Sequence, residues 1–182
     1  EIPAGPGNKL KQLSLGKSLW DGFAFIKESK VIRGLIFGML GAFFAAGAVI
    51  GLARTFVDDL QAGEAAYGIL FGAVFFGLAL GISFGPKVFA QFSRRRLFGI
   101  SLTVSGLFLV TLSLVLNLVL AIFITIILGF FAGISWVTGF TMLGMEVEDE
   151  MRGRTFAFMQ SLIRVSLVLV LAISPLIAAA IG

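Results

Sequence analysis

Arg164 has the most unusual setting of any side chain in this sequence. It is the last charged residue, and eighteen uncharged residues follow it to Gly182. Gln160 and Ser161 precede it by four and three residues, the spacing that puts all three on one helix face. A guanidinium beside an amide and a hydroxyl makes a hydrogen-bonding patch for an anionic or polar small molecule. A second polar and aromatic group, Ser135, Trp136, Thr138 and Thr141, interrupts an apolar run. Trp136 and Thr138 are the further candidates for substrate contact, while the Thr138 and Thr141 hydroxyls can equally return to carbonyls of their own helix. Composition excludes most other chemistry. There is no cysteine and no histidine, so disulfides, thiolate nucleophiles, imidazole acid–base groups and His-centred metal sites are ruled out. We expect no catalytic residues, no metal and no cofactor. Gly16-Lys17-Ser18 matches the end of a phosphate-cradling loop, but Lys11 stands where the first glycine belongs, and no strand precedes it.

The elements that must position these residues are apolar and long. Residues 97–145 form a stretch of forty-nine without one charged side chain. At about 1.5 Å per helical residue, that is more than twice a hydrocarbon core roughly 30 Å thick. The stretch must cross twice, and Asn117 is the natural turn. The whole chain is 58% hydrophobic and 13% charged, against roughly 25% charged residues in soluble domains. This predicts an all-α, polytopic transmembrane bundle with about five spans, near residues 34–53, 65–86, 97–116, 118–145 and 154–182. If the fifth helix starts near Arg154, Arg164 sits about 15 Å along it. There it faces a cavity or a partner, or else snorkels back to the headgroups. Residues 1–33 read as a linker followed by an amphipathic stretch. Leu19, Phe23 and Ile26 mark its apolar side, so it is either a surface helix or one lying among headgroups. The chain starts at Glu1 and stops inside an apolar run, as an internal piece of a longer polypeptide would.

The charges set topology and suggest a gate. Six Lys or Arg precede the first span, four lie between the second and third, and two between the fourth and fifth; Arg54 alone lies on the other side. The basic ends belong in the cytoplasm, so the N-terminal end is expected there in a cell membrane. The net charge of +4 therefore reflects membrane topology, and nucleic acid is not an expected partner. Arg94, Arg95 and Arg96 face a charged knot at 146–154 that holds Glu146, Glu148, Asp149, Glu150, Arg152 and Arg154. These groups either pair across the cytoplasmic face as a gate or form a solvated charge run. Glycines four apart (Gly34 and Gly38, Gly47 and Gly51, Gly68 and Gly72, Gly77, Gly81 and Gly85, Gly129 and Gly133) provide faces for close helix packing, or for rocking between helices. Ser174-Pro175 is expected to kink the last span.

Taken together, these elements resemble the C-terminal half of a major facilitator superfamily transporter over nearly the whole chain. Ser18-Leu-Trp-Asp-Gly-Phe-Ala-Phe-Ile, leading to Arg33, is similar to the helix before the seventh span in the enterobactin-exporter-like branch. Gly85-Pro-Lys with Arg94-Arg95-Arg96 resembles the family's glycine-to-basic loop, and Met151-Arg-Gly-Arg154 resembles the start of the eleventh span. The resemblance extends to the transporter part of actinobacterial fusions with a thymidylate kinase domain. It implies spans seven to eleven of a small-molecule exporter or permease working by alternating access. The implied partners are the lipid bilayer, a missing N-terminal half of the same polypeptide and an unidentified small-molecule substrate. One departure stands out: the family's basic loop usually carries an aspartate, and Ala90-Gln91-Phe92 offers no acid. The competing reading is a non-transporting anchor or regulatory module of a larger polypeptide.

Overall fold

The computed structural model describes residues 30–147 and 149–181. Five helices occupy them: α1 (Lys30–Asp59), α2 (Glu64–Val88), α3 (Arg94–Ser113), α4 (Leu118–Glu146) and α5 (Asp149–Ile181). No strand occurs among the described residues. Each helix contains a stretch long and apolar enough to cross a membrane. In that solvent every backbone N–H and C=O must be satisfied within the segment, which makes the helix obligatory. The amphipathic stretch expected before residue 30 lies outside the described residues.

Local chemistry sets the breaks. α1 runs on past Arg54 to Asp59 and stops where Gln61 (φ 51°) and Gly63 (φ 75°) take left-handed backbone conformations. The turn expected at Asn117 is present. α3 ends at Ser113, and the Asn117 side chain caps α4 by accepting a hydrogen bond from the Leu120 N–H at 3.1 Å. α5 continues as one helix through Ser174 and Pro175.

The packing is uneven. α2 and α4 share the most extensive contact, followed by α3 with α4 and α1 with α5. α1 also joins the two groups by touching α4, and to a lesser degree α2 and α3. α2 and α4 run parallel and meet through glycine. A Cβ placed on Gly77 or Gly81 would strike the Ile126 or Phe130 carbonyl, and one on Gly129 or Gly133 would strike the Val74 or Leu78 carbonyl. Both helices thus press backbone on backbone with no side chain between them. Gly47 and Gly51 of α1 instead make room for side chains of α5, Val170 and Ser174. One other expected glycine face is unused among the described residues, since Gly68 and Gly72 have nothing within 4 Å of a notional Cβ; of the pair Gly34 and Gly38, Gly34 is open and Gly38 packs against Phe98. The four-residue spacing is a property of one helix, whereas its use depends on which side the neighbour takes.

Two apolar clusters close the bundle at opposite ends. One gathers Ile32, Leu35, Ile36 and Met39 of α1 with Phe98, Met142, Leu143, Met159 and Ile163. The other joins Val57, Ala66, Leu70 and Ala121. The first cluster brings the starts of α1, α3 and α5 to the end of α4, and so collects the basic ends on one side of the bundle.

Candidate functional site

Arg164 is the tenth residue of the twenty-residue apolar stretch Thr155–Ser174. It therefore lies about 14 Å from the start of that stretch, near the middle of a crossing. Its side chain is exposed, and so are those of Gln160 and Ser161. The opposite side of α5, with Met159, Ile163 and Val170, is buried. The three polar residues thus share a face that no other helix covers among the described residues. The Ser161 hydroxyl donates to the Ala157 carbonyl at 2.9 Å. Its proton is spent on its own helix, so the donors left for a bound anion are the Arg164 guanidinium and the Gln160 amide.

Trp136 and Thr138 are not brought together. Trp136 is 43% exposed, while Thr138, two residues on and across the helix, is buried. Ser135 is also buried and bonds to the Ala132 carbonyl, and Thr141 returns its hydroxyl to Val137. Trp136 belongs instead to a run of rings that crosses three helices. Phe43 of α1 meets it edge-on at 5.2 Å, Phe140 lies 5.3 Å further along α4, and Phe140 stacks on Phe156 of α5 at 6.1 Å. Residue types along the sequence revealed only part of this run. Phe140 stands four residues after Trp136, a visible helical neighbour, but Phe43 and Phe156 join it only through tertiary contact.

The basic cluster Arg94–Arg96 opens α3. The Arg94 guanidinium donates to the Met145 thioether, which fixes the start of α3 beside the end of α4. Arg95 lines a groove of about 440 Å³ between α1 and α3, together with Gly34, Gly38, Phe98 and Met142. Arg96 borders a shallower hollow with Gly99 and Thr103. Glu148 lies outside the described residues, Asp149 and Arg154 fall on the first turns of α5, and Arg152 is exposed there. At the other end, Arg54 and Glu64 form a salt bridge at 3.6 Å, with both side chains largely in solvent. No group of acids fit to hold a metal ion occurs among the described residues.

Five apolar crossings, one of them carrying an exposed cation at mid-span, define a polytopic membrane protein. A comparison with family models agrees: residues 32–182 match the Major Facilitator Superfamily. The chain belongs to that superfamily and is part of a transporter of the major facilitator kind, a family of carriers rather than enzymes. No curated protein and no solved structure matches it.

Proposed function

We propose that this chain is one half of a secondary transporter, an exporter or permease for a small molecule working by alternating access. The observation that carries the reading is Arg164: a guanidinium in mid-crossing, exposed beside Gln160 and Ser161. An ionisable group at that depth is costly unless it faces water or a partner, so its open face is expected to line a solute path. A second helical half would close that path, with the substrate held between the halves near the midplane. α2 and α4 move as one body in this scheme. Their backbones nest carbonyl against glycine, and an axial slip of one residue would drive side chains into carbonyls. The rocking element is then the half as a whole.

The N-terminal end is cytoplasmic in this reading, on the count of basic residues at the helix ends. Arg94, Arg95 and Arg96, with Arg152 and Arg154, form the cytoplasmic gate against Glu148 and Asp149. Reversing both acids is expected to shift the balance of inward- and outward-open states, and unchanged accessibility on both sides would remove the gate. Placement in the enterobactin-exporter-like branch rests on the motif at residues 18–33, and fusion to a thymidylate kinase domain on the overall resemblance. The working partners are the lipid bilayer, the second half and the solute.

The test uses the lack of native cysteine in this sequence. A single cysteine at position 164, in a full-length protein otherwise free of cysteine, is probed from each side with a small charged thiol reagent. Labelling that disappears when one conformation is locked supports the path. No labelling from either side would refute it and leave the chain as a membrane anchor.

A further inference from the structure

We infer that the solute is an organic anion with a flat aromatic body, held between α4 and α5 with its ring on Trp136 and its acid group on Arg164. This rests on the transporter reading above and adds the chemical class of the cargo.

The geometry begins at the Phe140–Phe156 stack, which joins α4 to α5 near their common hairpin. Above it the two helices share little backbone contact, because each packs mainly on other helices: α4 on α2 and α3, α5 on α1. Two rails diverge from that stack. Along α4 the rings continue from Phe140 to Trp136, with Phe43 of α1 edge-on behind it. Along α5, residues 156, 160 and 164 follow at one-turn intervals, so Phe156 gives way to Gln160 and then Arg164. At 1.5 Å per residue, Trp136 stands about 6 Å above the stack and Arg164 about 12 Å above it. A ligand of one fused ring system with a terminal acid spans that difference.

Each rail selects one property. The rings around Trp136 hold one another at an angle, and Trp136 keeps 43% of its surface open, enough for a planar group to lie on or against it. The cation selects charge. No Asp or Glu lies within any of the apolar stretches 34–53, 65–86, 97–145 or 155–182. A cationic solute would therefore meet the Arg164 guanidinium with no acid of this half to offset it, whereas a carboxylate or sulfonate forms a charge-assisted hydrogen bond. The Gln160 amide, one turn below, supplies a second donor.

The experiment is equilibrium dialysis with the full-length protein in lipid nanodiscs, empty nanodiscs being subtracted. The probes are 1-naphthoate, 1-naphthylmethylammonium and cyclohexanecarboxylate. Saturable binding of naphthoate, with either analogue at least about tenfold weaker, is the expected result; the charge-assisted bond and the ring contact account for that size. Arg164→Gln should weaken naphthoate about tenfold or more, with partial recovery in Arg164→Lys. Trp136→Leu should weaken it several-fold, with recovery in Trp136→Phe. Equal binding of the three probes, or no saturable naphthoate binding, overturns the inference, and this comparison needs no variant to fold. The cysteine probe at position 164 separates the two levels. Protected labelling there without naphthoate selectivity removes the cargo class and keeps the transport path, while absence of labelling removes both.

Discussion

Substituting Gly81 by alanine tests the contact that makes this half rigid. The added methyl would collide with the Phe130 carbonyl, with the carbonyl carbon and Cα close behind. Backbone cannot swing aside as a side chain does, so α2 and α4 must separate or tilt. In water a Gly→Ala change in a helix also gains about 1 kcal/mol of helix propensity. In a membrane the dissociated helices remain helical, because lipid offers no other partner for the backbone, so that gain largely cancels. What remains is the overpacking cost, typically about 1–3 kcal/mol. With a main-chain obstacle we expect about 2–3 kcal/mol, which is roughly thirty- to 150-fold in the unfolding equilibrium. Gly72→Ala is the matched control, since nothing lies within 4 Å of its notional Cβ; it should stay within about 0.5 kcal/mol of the parent. Gly85→Ala should fall between them, because its obstacle is the Ile134 side chain. The assay is unfolding in mixed micelles titrated with a denaturing detergent, read by circular dichroism and by tryptophan emission. Equal midpoints for Gly81→Ala and Gly72→Ala would show that the two backbones do not meet as described.

Other outcomes follow from single contacts. Asn117→Ala removes the cap on α4 and should cost about 1 kcal/mol, with Asn117→Asp restoring it and faster amide exchange at Leu120 as the local readout. The Ser174 hydroxyl is buried without a hydrogen-bond partner among the described residues. Ser174→Ala should therefore leave stability unchanged or raise it. The same change should partly rescue Gly51→Ala, whose methyl would meet that hydroxyl first; a double-mutant cycle with no coupling would contradict this. Glu64→Gln breaks the exposed pair with Arg54 and should not move the unfolding midpoint measurably, because solvent already screens both groups.

The sequence by itself determined that this chain is helical, with five segments among the described residues long and apolar enough to cross a membrane, and it determined where the chain turns at Asn117. Those conclusions depend on one dimension only: an uncharged run either exceeds the thickness of a bilayer or does not. The same arithmetic placed Arg164 in mid-crossing and the basic residues at the helix ends. Tertiary structure decided which faces are used. Glycines at identical spacing have opposite fates, Gly77 and Gly81 against backbone and Gly68 and Gly72 in the open, because periodicity names a face but not its neighbour. It separated Trp136 from Thr138, two residues apart yet on opposite sides of α4. It also assembled Phe43, Trp136, Phe140 and Phe156 from three helices into one run. A contact such as that of Phe43 with Trp136, between helices far apart in the chain, leaves no local pattern, since each phenylalanine looks like any other apolar residue until the helices pack.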